Sequence, residues 1–160
     1  MQSREIASFW RFISSAIDRL IVCLDGLDQT ELDWRPLPDA NSLYVLAVHT
    51  LANTEENILG TLCGQAIKRN RAAEFMAQAD SAEGVLQQWH LLRERLQAAL
   101  AELSPAELDR EREHPRRGHL TGREVLLVVA RHTTEHMGQA QLTRDLMRAA
   151  SLTQSSDGQA

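Results

Sequence analysis

His132 and His136 bound the string His-Thr-Thr-Glu-His, which runs on into Met137-Gly138-Gln139. On a helix, side chains four residues apart share one face, with Cβ atoms roughly 5–6 Å apart. Such a pair offers a metal ion two imidazoles from a single turn. His49 lies in an earlier helical segment, and a helix facing the later one would supply it as a third ligand. Three protein ligands leave one coordination position for water or substrate, as in catalytic zinc sites. A cation held by neutral imidazoles at about 2.0–2.1 Å lowers the pKa of a water or thiol in that position toward neutrality. Thiolate would then attack an electrophilic carbon and give S-transfer; hydroxide would give hydrolysis. The competing reading makes all three structural histidines, each bonded to a facing side chain or to water. An unpaired buried imidazole costs roughly 1–3 kcal/mol, so two in one turn of an apolar stripe favour a shared cation.

The other polar candidates are weaker. Glu135 completes His-x-x-Glu-His, the signature of inverted zinc peptidases. Only Asp145 and Asp157 follow as carboxylates, and the chain is too short for that fold. Glu135 is also turned about 100° from His136, so it reads as a surface residue. Asn53, Glu56 and Gln139 are pocket candidates. Glu56 lies roughly 10 Å along the axis from His49, suited either to lining a pocket or to partnering a core arginine. His90 reads as surface. His114 and His119 flank Pro115-Arg116-Arg117-Gly118 and read as loop surface. No second acid or base stands out.

Four helices must position these groups. Ile6, Phe9, Trp10, Ile13, Ile17, Leu20, Ile21 and Leu24 recur at helical steps, so the first helix runs from about Ser3 to Leu24, with Gly26 able to end it. Trp34-Arg35-Pro36-Leu37-Pro38 cannot be helix interior. The second helix starts at Asn41 or Ser42 as cap, carries Val45, Val48, Ala52 and Leu59 inward, and weakens at Gly60 and Gly64. From Gln65 to Asp80 the pattern blurs, with room for a short helix over Ala72 to Met76. Asp80-Ser81-Ala82-Glu83 reads as the capped start of the third helix, whose stripe is Val85, Trp89, Leu92, Leu96, Leu100 and Leu103. Thr121-Gly122-Arg123-Glu124 is a capping box opening the fourth. Its stripe is Val125, Val128, Val129, His132, His136, Gln139, Leu142 or Thr143, Leu146 and Met147, with both histidines in the middle. Leu27 to Asp33 and Leu103 to Asp109 echo each other, each ahead of a histidine-bearing helix. Nothing reads as a strand. The expectation is an all-α four-helix bundle, one domain over residues 1–150, with a long connection between helices two and three and a disordered polar tail over 151–160.

Bulk properties narrow the function. A chain of 160 residues can bury a core without staples. Cys23 and Cys63 are too few for a disulfide framework and read as apolar residues in a reducing compartment, which points to the cytoplasm. No apolar run approaches the roughly 20 residues of a membrane span. A net charge of −5 argues against nucleic acid. Lys68, Arg69 and Arg71, like Arg116 and Arg117, read as solvated surface.

Several segments together resemble a known family. Trp34-Arg35-Pro36 precedes Asn41-Ser42; Val45-Leu46-Ala47-Val48-His49 follows. Then come Arg69-Asn70-Arg71-Ala72-Ala73-Glu74-Phe75, and Thr121 to Glu124 leading to His132-x-x-x-His136-x-Gly138-Gln139. In this order, over most of residues 1–150, they are similar to the DinB-like (YfiT-like) four-helix-bundle metalloenzymes. The resemblance implies His49, His132 and His136 as ligands of one divalent ion, zinc or nickel, at one end of the bundle. It implies parallel helices two and three, and a homodimer. Characterised relatives include S-transferases and an isomerase that use low-molecular-weight thiols such as bacillithiol or mycothiol, and others are called hydrolases. The implied function is a metal-dependent enzyme, a thiol-dependent S-transferase or a hydrolase, acting on a small electrophilic molecule. Two alternatives stand beside it: a non-catalytic metal-binding or stress-response module with a structural cation, and a metal-free bundle acting through its surfaces. A pocket opening onto the metal, lined by Trp10, Tyr44 or Glu56, would favour the enzyme.

Overall fold

The apolar repeats fold as four long helices, joined by short polar-anchored pieces that the repeats do not announce. The computed structural model describes residues 3–157, with side chains through residue 153. Helix α1 spans Arg4–Val22, and Gly26, at φ 71°, follows its end. A single turn, α2 (Gln29–Asp33), is held by reciprocal capping: Glu31 N donates to Asp28 Oδ1 and Asp28 N to Glu31 Oε2, both at 2.9 Å. Helix α3 (Leu43–Glu55) starts where Ser42 Oγ accepts from Val45 N at 3.2 Å. It passes directly into a π-helical turn, Glu56–Leu62, in which Cys63 N reaches back five residues to Ile58 O at 2.9 Å. The short helix in the blurred region is α4, Arg71–Phe75, capped by Asn70. Helix α5 spans Glu83–Ala101; Asp80 does not cap it, because the N-cap position falls on Ala82. A 3₁₀ turn, Pro105–Leu108, occupies the place that α2 holds in the earlier half, so the sequence echo has a structural counterpart.

Helix α6, Gly122–Asp157, is longer than expected: it continues through the polar stretch after Ser151 as far as Asp157, and residues 158–160 of the anticipated tail lie outside the described residues. The capping box at its start forms, with Thr121 N donating to Glu124 Oε2 at 2.7 Å and Glu124 N to Thr121 Oγ1 at 3.2 Å. Helix α1 packs on α5 and α6, and α3 packs on the same two, which closes the bundle. Its core joins Ile6, Ile13, Ile17 and Leu20 of α1 to Leu46 and Leu51 of α3, Leu96 and Leu100 of α5, and Val125, Leu126 and Val129 of α6. The rings of Trp10 and Trp89 meet there at 6.3 Å, and Trp89 Nε1 donates to Asp18 at 2.8 Å.

The bundle is helical as expected, but among the described residues one strand pair corrects the reading that nothing forms a strand. β1 (Glu111–His114) and β2 (Gly118–Thr121) form an antiparallel hairpin with His114 opposite Gly118. Leu120 of β2 packs against the core, and polar anchors hold β1. Arg112 and His114, two residues apart, share one side of the strand. Arg112 Nε donates to Leu62 O at 2.8 Å, and its other nitrogens take the Glu107 carbonyl and carboxylate. His114 Nε2 lies 2.9 Å from Asn57 Oδ1. The hairpin is thereby tied to the π turn and carries Arg116 and Arg117 at its tip.

Two expected outcomes follow from the packing. A Cβ at Gly122 would fall against the Glu107 carbonyl oxygen, whereas one at Gly84 meets nothing within 4 Å. Gly122→Ala should cost about 1–3 kcal/mol in urea unfolding, and Gly84→Ala should be neutral or stabilising. Burial pushes the Cys63 thiol up to about 11, against the opposing field of Arg112. The thiolate is therefore scarce below that pH. Alkylation of Cys63 by iodoacetamide in the folded protein should stay slow at pH 9, rising only on approach to pH 11, by mass spectrometry of the modified peptide.

Candidate metal centre

The π turn, α3, α4 and the middle of α6 converge on three imidazoles. His49, on α3, is buried; His132 and His136, on α6, are half-buried. The apolar line of α6 runs through Val125, Leu126, Val129, Thr133 and Ala140, so the two histidines sit at its margin, not in its middle as their periodicity suggested. Of the alternatives Leu142 or Thr143, Thr143 takes the inner position and Leu142 is exposed; Met147 is buried, whereas Leu146, placed on the inner stripe by pattern, is exposed. One ring nitrogen from each histidine falls in a group within 4.8 Å of one another. His132 Nε2 stands 3.1 Å from His49 Nε2 and 3.1 Å from His136 Nε2. Ligand nitrogens around a tetrahedral zinc ion, each about 2.0–2.1 Å from it, stand about 3.4 Å apart.

The proton positions show whether this cluster suits a cation. His49 Nδ1 lies 2.8 Å from Glu74 Oε2, so it carries the proton and donates to the carboxylate. His136 Nδ1 lies 2.7 Å from Gln139 Oε1 and donates likewise. Both Nε2 atoms are then bare and point at His132. If His132 holds its proton on Nδ1, that N–H is buried without a partner and three lone pairs converge. If the proton is on Nε2, the buried Nδ1 is a bare acceptor instead. An orphaned buried polar atom of this kind costs roughly 1–3 kcal/mol. A cation among the three Nε2 atoms removes the repulsion of the lone pairs, so the donor set fits a divalent metal. Burial, reinforced by the neighbouring His136 and His49 rings, pushes the His132 pKa down to about 3, so this ring is neutral at physiological pH. Burial also lowers that of His49, against the opposing pull of Glu74.

Behind His49 stands a buried ionic chain. Arg69 donates through Nε to Glu74 Oε1 at 2.6 Å, through one terminal nitrogen to Glu74 Oε2 at 2.8 Å, and through the other to Glu56 Oε2 at 2.8 Å. Its side chain is only 4% exposed, which overturns the reading of this arginine as solvated surface. Arg116, from the hairpin tip, closes on Glu56 through both terminal nitrogens. Burial alone would raise the Glu74 and Glu56 pKa values; the arginines more than offset it and hold both carboxyls below the usual range. Glu74 is therefore an ionised acceptor that fixes the proton and the plane of the His49 ring, the arrangement of a carboxylate–histidine–metal triad.

A cavity of about 310 Å³ opens beside the histidines, lined in part by His49, His132, Asn53 and the hairpin tip. Asn53 lies in the cavity wall. Glu56 does not line this cavity and takes its other reading, as partner of a core arginine. Gln139 supports His136 and otherwise lines a separate depression with Pro36 and Leu146. Trp10 and Tyr44 are not in the cavity wall. His114, read as loop surface, is 3% exposed and pins the hairpin to Asn57. His119 is exposed, as expected, and His90 and Glu135 are surface residues paired with Glu94 and Arg131. From sequence, Glu74, Arg69 and His114 are not assigned to the site; the family-like segment Arg69 to Phe75 contains two of them, but a charge on the one-turn α4 carries no periodicity to show that it faces inward.

The chain belongs to the DinB superfamily, whose family model matches residues 13–140. Solved structures share its fold. A DinB-like protein from Bacillus cereus is 19% identical with a TM-score of 0.71, the match covering 94% of each chain. A conserved protein from Enterococcus faecalis is 14% identical with a TM-score of 0.73, over 93% of this chain and 99% of that one. YfiT from Bacillus subtilis, described as a probable metal-dependent hydrolase with an unusual four-helix bundle topology, is 17% identical with a TM-score of 0.70, over 94% and 91%. No curated protein matches the sequence. Among the described residues, no helix is long and apolar enough to cross a membrane.

Glu74→Gln keeps the side-chain shape and removes the charge behind His49. It should weaken zinc binding about 10–100-fold, measured by competition with a chromophoric chelator, while the circular dichroism of the bundle stays unchanged.

Proposed function

We propose that this chain is a divalent-metal-dependent enzyme that acts on a small electrophilic molecule, with His49, His132 and His136 as the ligands. The observation that carries the reading is the meeting of three ring nitrogens beside an open cavity, two of them bare because Glu74 and Gln139 hold the protons on the far side of the rings. A purely structural cation would be closed off; here two of the three rings form part of the cavity wall, which leaves room for a reactant. Zinc and nickel both suit an all-imidazole set.

A cation bound there supplies Lewis acidity, which favours the deprotonated form of water or a thiol at neutral pH. The chain supplies the rest. Glu74 and Gln139 orient two rings. Burial keeps His132 unprotonated and available. Asn53 offers its amide to whatever occupies the cavity. In the S-transfer reading, favoured by the resemblance to thiol-using relatives, the sulfur of a low-molecular-weight thiol forms the new bond to carbon. The leaving group departs with its bonding electrons and the thiol proton passes to solvent. Hydrolysis is the second reading, and the description of YfiT as a probable metal-dependent hydrolase favours it.

Protein purified without a histidine tag should carry close to one zinc or nickel per chain by elemental analysis, and His132→Ala should lose it. The loaded protein, given a panel of low-molecular-weight thiols and monobromobimane, should form conjugate above background with at least one thiol, and His49→Ala should abolish this. Metal-free native protein would overturn the metal reading. Full metal with no conjugate, but with cleavage of an activated ester, would select hydrolysis.

A further inference from the structure

We propose that the cavity beside His49 and His132 receives an oxyanion, a carboxylate or phosphate group, on the small molecule that reacts at the metal. This rests on the metal-enzyme reading and narrows its substrate class. The wall of the cavity includes three arginines and no carboxylate: Arg71 from α4, and Arg116 and Arg117 from the hairpin tip. Of these, Arg116 is neutralised by Glu56, a carboxylate it shares with the buried Arg69. The other two are not. The Arg71 guanidinium lies 4.8 Å from the centre of the Phe75 ring, with no carboxylate in ion-pair reach among the described residues. Arg117 likewise has no carboxylate partner among them. Two uncompensated cations thus face one small concavity in a chain whose net charge is −5. Guanidinium forks match the planar oxygens of carboxylate and phosphate.

The tip is held over the cavity by a specific device. His114 Nδ1 accepts from Arg116 N at 3.0 Å, so Nε2 carries the proton and donates to Asn57 Oδ1. Asn57 Nδ2 in turn donates to Asn53 O at 2.8 Å. Arg116 and Arg117 are therefore presented by a hairpin anchored to the π turn, not by a free loop. Asn53, whose carbonyl the Asn57 amide holds, is itself part of the cavity wall. A volume of about 310 Å³ suits a small molecule.

The test uses the full chain loaded with cobalt(II), whose thiolate charge-transfer band reports ligand binding at the metal. Titration with 3-mercaptopropionate and with 2-mercaptoethanol compares an anionic with a neutral thiol. The anionic thiol should bind roughly tenfold more tightly. In a double variant, Arg71→Gln with Arg117→Gln, the preference should fall to near one while cobalt affinity and 2-mercaptoethanol affinity stay unchanged. A preference that survives both substitutions would mean that the carboxylate binds cobalt itself, and would overturn the proposal. Equal binding of the two thiols to the loaded wild-type protein would overturn it too, with the metal centre intact. A chain that takes up no cobalt would remove the metal reading and this inference together. Competition by inorganic phosphate and by acetate separates the two sources of the oxyanion: the one that displaces 3-mercaptopropionate at the lower concentration is the group the cavity favours.

Discussion

Glu74 meets His49 at 2.8 Å inside the protein, and the geometry of the centre depends on that contact. An ionised carboxylate there accepts, so the imidazole proton must sit on Nδ1 and the opposite nitrogen must face α6 bare. Burying that carboxylate is expensive unless its charge is matched. Arg69 matches it through two nitrogens and passes the remaining one to Glu56, which Arg116 completes from the hairpin. The orientation of one ring on α3 is therefore maintained by residues from the π turn, from the segment before α4, from α4 itself and from the connection between α5 and α6. The loops do more than join helices here; they supply the charges that make one tautomer of His49 the stable one.

The bundle and the histidine cluster were legible in the sequence for a common reason. Helical periodicity is a local property, and the repeats of Ile, Leu and Val mark α1, α3, α5 and α6 without reference to anything distant. The spacing of His132 and His136 is local too. His49 required only that its helix face α6. The supporting groups were hidden because each acts across a long sequence separation. Glu74 lies 25 residues from His49, and Asn57 lies 57 from His114. A charged side chain on a one-turn helix carries no periodicity to say which way it faces. The hairpin escaped for a related reason: Glu111-Arg112-Glu113-His114 has the alternation of a strand, but its inward residues are polar, and apolar alternation is the usual signal.

The displacement of His132 and His136 from the centre of the α6 stripe to its margin follows from the same physics. Thr133 and Ala140 take the innermost positions, where small side chains let α6 approach its neighbours. Imidazoles at the edge can be held by polar partners on one side and still border a cavity on the other. Full burial would have given a tighter core and a cluster closed to any reactant. The stripe read from sequence counted hydrophobic character alone and so could not separate the two placements.

The π turn after α3 makes length, not only residue identity, a constraint on this family member. Losing one residue from Glu56–Leu62 would restore ordinary α-helical bonding and suit the isolated helix well. The same loss would rotate everything beyond it by about 100° relative to α3. Asn57 near the start of the turn and Leu62 at its end could not then both keep their appointments with the hairpin, through His114 and Arg112. A one-residue deletion harmless to the bundle would dismantle the machinery around its histidines.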